Sequence, residues 1–374
     1  MRKGWTIIPL FLLLAGCWDQ RPVKDLNLIF GVGIDREEEN NLTLTVEIPQ
    51  EKQGNVGGGG GTEGTTQEAA KSLIVSEKGQ TIRDVAYKMD RRIDGALDIS
   101  KLSVLMIGKE SAQNDLYSLL DAYFRNPVSP LNAKLLVVEG RADEFFHQDF
   151  KGQTLYSDYF FKLIETAEQE SAIPITNMQL ACNLLLDKGS DAVIPLISYN
   201  EEQKAAQING SALFNGRSMS GELTTEETSS LLIMLNQAKQ ELPLTFRVEG
   251  GEDISVTLID SKAKLKVNVP KNGNPTADVS VDMQVQVIEY PPQNLEKEKL
   301  MKSLNQQLTE ETEKLLQKTI RKMQEANSDP LGIGRRIIAK DPDAFKKLDW
   351  GEIYPDMDIK VETKVKIEKT GAIF

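Results

Sequence analysis

The chain has 374 residues, and its 56 Asp and Glu outnumber its 44 Lys and Arg, so the formal net charge is −12. So acidic a body is a poor partner for nucleic acids, whose phosphates attract a basic surface. The sequence contains one histidine, which excludes zinc and catalytic sites that need several imidazoles. We find no catalytic motif, no cofactor-binding motif and no metal-ligand spacing in the sequence.

The N-terminus has the pattern of a bacterial lipoprotein signal. Arg2 and Lys3 precede a mostly apolar stretch that ends in Leu14-Ala15-Gly16-Cys17. This stretch is too short to span about 30 Å of hydrocarbon, and its basic start and small-residue end are typical of a cleaved signal. We predict that residues 1–16 are removed and that the thiol of Cys17 receives a diacylglycerol. An ordinary signal peptide that contains a cysteine by chance is the alternative.

The remaining cysteine and the histidine both have structural interpretations. If Cys17 is acylated, Cys182 has no intrachain partner for a disulfide. Cys182 lies in an apolar segment that predicts a buried helix face, where a thiol is packed and unreactive. His147 follows Phe145-Phe146 at a predicted helix end, where a structural role is favoured over that of a base.

The length is consistent with two or three domains. Strands and helices alternate in the first part, which predicts an α/β-type N-terminal domain at 17–150 after a short tether. Its strands are predicted at 26–35, 42–48, 72–75, 103–107 and 133–138, with the first two paired antiparallel, and its helices at 82–93, 112–124 and 142–147. The glycine run 57–61 lacks the Lys-Ser/Thr of a phosphate-binding loop and is interpreted as a flexible loop.

A smaller middle domain is predicted at 151–241. Its helices are expected at 156–170 and 176–186 and its strands at 192–197, 208–214 and 218–223. Thr224 and Glu227 have the spacing of a capping box at the start of a further helix.

The C-terminal domain is predicted at 242–374 as an antiparallel sheet with one long helix. Strands are expected at 254–259, 263–269, 277–289 and 358–369, with a turn at Asp260-Ser261. The helix is expected from about 295 to 326, and its apolar stripe favours packing on the sheet over a self-associating coiled coil. The fold class predicted for the whole chain is α+β.

Short motifs are distributed along the whole chain: Cys17-Trp18-Asp19, Gly33-Ile34-Asp35, Gly79-Gln80-Thr81-Ile82, Leu105-Met106-Ile107-Gly108, Arg125-Asn126-Pro127, Gly140-Arg141-Ala142, Gly210-Ser211-Ala212-Leu213-Phe214, Gly221-Glu222-Leu223, Glu226-Glu227-Thr228, Asp329-Pro330-Leu331-Gly332-Ile333-Gly334, Trp350 and Thr370-Gly371-Ala372. In their order and spacing, these motifs together resemble one protein family, the Ger(x)C spore-germination lipoproteins. Pro22 and Asn126 depart from the residues usual in the family at those positions.

The resemblance implies a three-domain α+β body without enzymatic activity. It also implies that the chain is the C subunit of a nutrient germinant receptor. Such a subunit is held by lipid on the outer face of the spore inner membrane, beside two integral membrane subunits of the A and B type. It carries over no site residue beyond Cys17, and no catalytic, cofactor or metal residue.

Three functions are therefore compared. The first is a lipid-anchored receptor subunit that acts by protein–protein contact. The second is a solute-binding lipoprotein that captures a nutrient and presents it to a membrane partner, which would require two similar lobes around a cleft. The third is an extracytoplasmic hydrolase that uses carboxylates. The missing catalytic motifs and the resemblance favour the first.

Overall fold

A computed structural model describes residues 26–38, 41–50, 72–249, 251–270, 273–292 and 295–370. The predicted signal peptide, Cys17 and the glycine run 57–61 lie outside these residues. The described chain is a mixed α+β fold with two large sheets, as the sequence predicts.

The larger sheet has eight strands in the order β10-β9-β8-β7-β6-β2-β3-β4. Strands β2, β6, β7 and β8 are parallel, and the outer strands on both sides are antiparallel. The strands are β2 (Gly31–Arg36), β3 (Leu42–Ile48), β4 (Leu73–Gly79), β6 (Val104–Gly108), β7 (Lys134–Val138), β8 (Val193–Asn200), β9 (Ala205–Asn215) and β10 (Ser218–Leu223). A separate short pair joins β1 (Leu26–Leu28) and β5 (Ala96–Asp98) in parallel.

Helices cover both faces of this sheet, because its central strands carry apolar side chains on both faces. Leu105 and Ile107 of β6 face one core, and Val104 and Met106 face the other. The first core is covered by α1 (Ile82–Asp90), α3 (Leu116–Phe124) and α6 (Met178–Leu185). The second is covered by α4 (Ala142–Phe146) and α5 (Tyr156–Gln169), and α2 (Lys109–Ala112) follows β6 directly.

The four-stranded C-terminal sheet has the order β11-β12-β13-β14. Its strands are β11 (Pro243–Arg247), β12 (Asp253–Asn268), β13 (Thr276–Glu289) and β14 (Ile359–Lys369). Pairing is antiparallel among the first three, but the fully antiparallel sheet predicted from the sequence is wrong at β14. Strand β14 pairs with β13 in parallel, because the long helix α8 (Glu298–Glu325) and the short helices after it return the chain to the starting end of β13.

Helix α8 packs one stripe on this sheet, which confirms core packing as its role. Leu308, Leu316 and Ile320 are fully buried in the core that the sheet and helix share. A polar ridge of the same helix lies beside the edge of β14, where Asn305 Oδ1 accepts from Ile367 N at 2.7 Å and Thr309 Oγ1 accepts from Val365 N at 3.0 Å. The helix therefore also satisfies an edge strand that would otherwise be open to pairing.

Several predicted boundaries are wrong. The turn expected at Asp260-Ser261 does not form, because β12 continues through it past a register shift between Leu258 and Asp260. The strand expected at 26–35 is divided into β1 and β2, which belong to different sheets, and the helix expected at 112–124 is divided into α2 and α3. The sequence pattern did not predict β5, β11, α9 (Ile333–Lys340), α10 (Pro342–Lys347) or α11 (Trp350–Ile353).

The eight-stranded sheet is continuous across position 150. Strand β7 pairs with β8, and β10 at residues 218–223 forms the end of the same sheet. Residues predicted as the middle domain thus extend the sheet of the N-terminal part. The division at 150 and 241 into separate domains stays a prediction.

Helix α7 (Thr225–Met234) begins with the predicted capping box. Thr224 Oγ1 accepts from Glu227 N at 3.3 Å, and Glu227 Oε2 accepts from Thr224 N at 3.0 Å. We expect Thr224→Ala to lower the free energy of unfolding by about 1 kcal/mol in urea titrations, because one amide of the first turn loses its acceptor. Thr225→Ala, one position further on, is the matched control and should change it much less. Equal losses in the two variants would contradict a capping role.

Candidate functional site

The one site residue predicted from the sequence, Cys17, lies outside the described residues, so its lipidation stays a prediction. Cys182 is half-buried on α6 and is thus less enclosed than predicted, and burial raises the pKa of its thiol. His147 lies at the end of α4, where Nδ1 is 2.8 Å from the carbonyl oxygen of Asp143. In the described part of the chain, no three His, Cys, Asp or Glu side chains are arranged to hold a metal ion.

Three motifs that carry the resemblance meet at one end of the large sheet. The carboxyl ends of β2, β6 and β7 are adjacent there, and they bring together Asp35, Gly108 and Gly140-Arg141-Ala142. This end of parallel strands is where open α/β sheets commonly place binding residues. We call this group the strand-end cluster.

Asp35 is the centre of the strand-end cluster. Its side chain is 2% exposed, and its two oxygens accept from the backbone N–H groups of Ala142 at 2.9 Å and Asp143 at 2.8 Å. Burial raises the pKa of this carboxyl, and the two amides at the start of α4 partly oppose the rise. A Cβ on Gly108 would collide with Asp35 Oδ1, so glycine there allows the approach of the strand ends.

Charged side chains around Asp35 are paired with one another. Glu37 accepts from Thr43 Oγ1 at 2.6 Å and pairs with Arg141, and these contacts lower its pKa to about 2. The Nζ of Lys109 lies 2.9 Å from Oε1 of Glu139 and 2.5 Å from Oε1 of Glu222. The adjoining cleft, of about 370 Å³, has a polar lining that includes Asp35, Lys109, Glu139 and Arg141 together with Arg36, Glu110 and Gln113. The hydrogen bonds of the paired groups hold the loops after the strands in place.

We expect Asp35→Ala to lower the free energy of unfolding by roughly 2–4 kcal/mol, because two backbone N–H groups lose a charged acceptor in a buried position. Asp121→Ala is the matched control, since Asp121 forms an exposed pair with Arg125 of the kind that contributes little. Urea unfolding followed by circular dichroism measures both variants. If Asp35→Ala lowered the free energy of unfolding no more than Asp121→Ala, the strand-end cluster would not be a stabilising element of the fold.

A second cluster joins the large sheet to the C-terminal part of the chain. Asp191, just before β8, donates its N–H to the carbonyl of Asp329 at 3.0 Å, and its Oδ2 accepts from Asp329 N at 2.7 Å. The Asp329 carboxylate accepts from Ile333 N at 3.0 Å and Gly334 N at 2.8 Å at the start of α9. We call this arrangement the aspartate junction.

The aspartate junction is closely packed around Asp329. Asp329 is 1% exposed, and burial raises its pKa to about 8. The hydroxyl of Tyr354 is also buried and has no hydrogen-bond partner among the described residues. Gly334 lies against Trp350, and a Cβ on Gly189 would meet the carbonyl carbon of Gly334 at 2.7 Å. The motif at 329–334 and the isolated Trp350 thus have a structural role that their sequence alone did not indicate.

Sequence profiles of two protein domains match the chain. Residues 19–199 match the spore germination protein N-terminal domain, and residues 209–371 match the spore germination B3/GerAC-like C-terminal domain. The chain belongs to the Ger(x)C family.

Full-length relatives and a solved structure agree with this family membership. Spore germination protein GerQC of Bacillus cereus is 24% identical over 99% of both chains. Spore germination protein KC of Bacillus subtilis is 24% identical over 96% of this chain and 93% of its own. The crystal structure of the GerBC protein has a TM-score of 0.58 and 19% identity, covering 90% of this chain and 97% of that one, and so shares its fold. This Ger(x)C chain is thus similar to spore germination proteins along its whole length.

Proposed function

We propose that the protein is the lipid-anchored subunit of a nutrient germinant receptor of the spore inner membrane. The observation that carries the proposal is the match of both Ger(x)C domains over residues 19–199 and 209–371, directly after the predicted lipoprotein signal at residues 1–17. Among the described residues, no helix is both long and apolar enough to cross a membrane. In this proposal the diacylglycerol on Cys17 holds the body at the outer membrane face.

The proposed role is protein–protein contact with two integral membrane subunits of the A and B type, and it requires no catalysis by this chain. The carboxylates of the strand-end cluster and the aspartate junction support this role. They accept from backbone amides or pair with Lys and Arg, so their oxygens are engaged in holding loops together.

Apolar side chains on the helical face of the large sheet suit such contacts. Ile175 and Leu180 are 52% and 42% exposed and line a depression of about 360 Å³. Exposed apolar patches of this kind are typical of surfaces that bind other proteins.

Deletion of the gene tests the proposal. Spores that lack it should lose the germination response to one class of nutrient and keep the response to other triggers, and a copy in trans should restore the lost response. Affinity purification of the full chain from spore membranes should recover two polytopic proteins. An unchanged nutrient response in a strain without a homologous receptor would contradict the proposal.

A further inference from the structure

A cavity lies between α1, the end of α3 and the β1–β5 pair. Its volume is about 690 Å³, which is within the range of about 300–1,000 Å³ for small-molecule sites. Beneath it lie the buried apolar side chains of Ile29, Val32, Leu44 and Val46, which are at most 3% exposed. Tyr87 and Val128 stand at its mouth on opposite walls and are 53% and 59% exposed. Neither cluster described above uses this space.

Charges of both signs surround the mouth of this cavity. The guanidinium of Arg83 lies 4.9 Å from the ring centroid of Tyr87 and makes no ion pair with any described residue. Asp90 and Asp98 each use one oxygen to accept a backbone N–H, from Leu97 at 3.0 Å and from Ser100 at 2.8 Å. The other oxygen of each carboxylate accepts no hydrogen bond from the described residues.

Helix α1 arranges one cation and one anion along a single wall. Arg83, Ala86, Tyr87 and Asp90 line the cavity at positions i, i+3, i+4 and i+7, which lie on one face of a helix. Seven residues at 1.5 Å rise separate Arg83 from Asp90 by about 10 Å along the axis. A ligand that lies along this wall therefore meets a positive group at one end, small and aromatic side chains in the middle and a negative group at the other end.

The chain length outside the described residues limits how far this cavity can be from the membrane. Leu26 of β1 follows Cys17 by nine positions, so an extended connection reaches at most about 30 Å. Strand β1 pairs with β5, and Ala96, Leu97 and Asp98 of β5 line the cavity. This step rests on the proposed function, since it requires the lipid on Cys17.

We propose that this cavity binds a zwitterionic phospholipid from the membrane surface. The phosphate pairs with Arg83, and the ammonium group pairs with Asp90 and Asp98. One acyl chain lies on the partly exposed apolar side chains of the wall, Ile82, Ala86 and Tyr87. Charge complementarity favours a zwitterion over an anionic lipid, because the two carboxylates at the mouth repel a second negative group. The short connection to Cys17 favours a lipid over a freely dissolved solute.

Photo-crosslinking of the full chain in vesicles tests the proposal. The protein is reconstituted with phosphatidylethanolamine that carries a diazirine on one acyl chain, or with phosphatidylglycerol that carries the same chain. After illumination, labelled peptides are mapped by mass spectrometry. We expect label at residues 82–99 and 122–128, several-fold more from phosphatidylethanolamine than from phosphatidylglycerol. Equal labelling by the two lipids, or label spread evenly over the body, would overturn the proposal.

Two variants separate binding in the cavity from contact with the bilayer. Ala86→Trp fills the wall of the cavity and should remove the label while the circular dichroism spectrum is retained. If this variant does not fold, Arg83→Glu at an exposed position should reduce the label from phosphatidylethanolamine several-fold. Lys162→Glu is its matched control, since Lys162 is 71% exposed on α5 at the opposite face of the sheet, and it should label like the unchanged chain. Unchanged labelling in Arg83→Glu would overturn the proposal.

The Cys17→Ala chain distinguishes failure of this proposal from failure of the anchoring that it rests on. This variant is offered a short-chain, water-soluble phosphatidylethanolamine with the same diazirine. Label in the cavity supports the lipid site whether or not Cys17 is acylated. Absence of that label, in a variant that is folded, overturns the site even where the unchanged chain is membrane-anchored. Loss of the label from the short-chain lipid on addition of free L-leucine would also overturn the lipid as occupant.

Discussion

Cys17→Ala is expected to abolish incorporation of palmitate into the protein and to leave the signal uncleaved. It is also expected to remove most of the protein from the membrane fraction. The reason is that two acyl chains on one residue give stable anchoring, whereas an acidic body has no electrostatic substitute for them. The net charge of −12 makes attraction to anionic headgroups unfavourable. Metabolic labelling, gel mobility and fractionation measure the three effects.

Cys182→Ala is the matched control for this prediction. Cys182 is the other cysteine of the chain and is half-buried on α6, so its loss should leave labelling, cleavage and fractionation unchanged. In spores, Cys17→Ala should reduce the nutrient response to nearly the level of the gene deletion, because the body no longer stays beside its membrane partners. Full palmitate labelling and full membrane retention of Cys17→Ala would show that the lipoprotein signal was misinterpreted.

Features of the fold that depend on neighbouring residues were predicted well from the sequence. The alternation from Leu42 to Ile48 predicted β3 with its observed bounds, and the spacing of Thr224 and Glu227 predicted the capping box. The apolar stripe of α8 predicted which of its faces is buried. In each case the signal is a periodicity or spacing within one element, and the physical cause acts within that element or on one adjacent surface.

Features that depend on distant residues were missed. Asp260-Ser261 has turn-forming residues, but the pairing with β13 continues through them and a bulge absorbs the irregularity. The partners of Asp35 lie 107 and 108 positions away, and Asp191 meets Asp329 across 138 positions. No local pattern predicts such contacts. The motifs of the family resemblance did contain Asp35 and Asp329, and that is the signal that could have identified both clusters.

The aspartate junction relates the two matched domains to each other. Asp191 precedes β8 of the large sheet, and Asp329 follows α8, which packs on the C-terminal sheet. Arg335 at the start of α9 donates its N–H to the carbonyl of Gly189 at 2.7 Å, and its guanidinium pairs with Asp187 at 2.7 Å. These contacts place the carboxyl of Asp329, whose pKa is strongly raised, between the two parts of the chain.

The stability of the protein is therefore expected to fall as the pH rises from about 4 to about 8. Asp329 has a pKa of about 8 in the fold against 3.8 as its ordinary value, because burial disfavours its charged form. Between these pH values the folded state binds more protons than the unfolded state, so the free energy of unfolding decreases with pH. Burial raises the pKa of Asp191 as well, so ionisation of Asp191 also lowers the free energy of unfolding as the pH rises. The expected slope from Asp329 is roughly 1 kcal/mol per pH unit.

Asp329→Asn should flatten this slope, because an amide does not titrate. Its single oxygen can accept from either Ile333 N or Gly334 N, and its NH₂ group then faces the other amide. We therefore expect the variant to be less stable than the unchanged protein by about 1–3 kcal/mol at acidic pH. The two curves should cross between about pH 5 and pH 7, and above the crossing the variant should be the more stable protein until Asp329 has fully ionised above about pH 8. Urea titrations across this range measure both curves, and Asp343→Asn, at a side chain that is 82% exposed, is the matched control. Parallel curves for Asp329→Asn and the unchanged protein would show that Asp329 is not the titrating group, since only a group that is removed can change the slope.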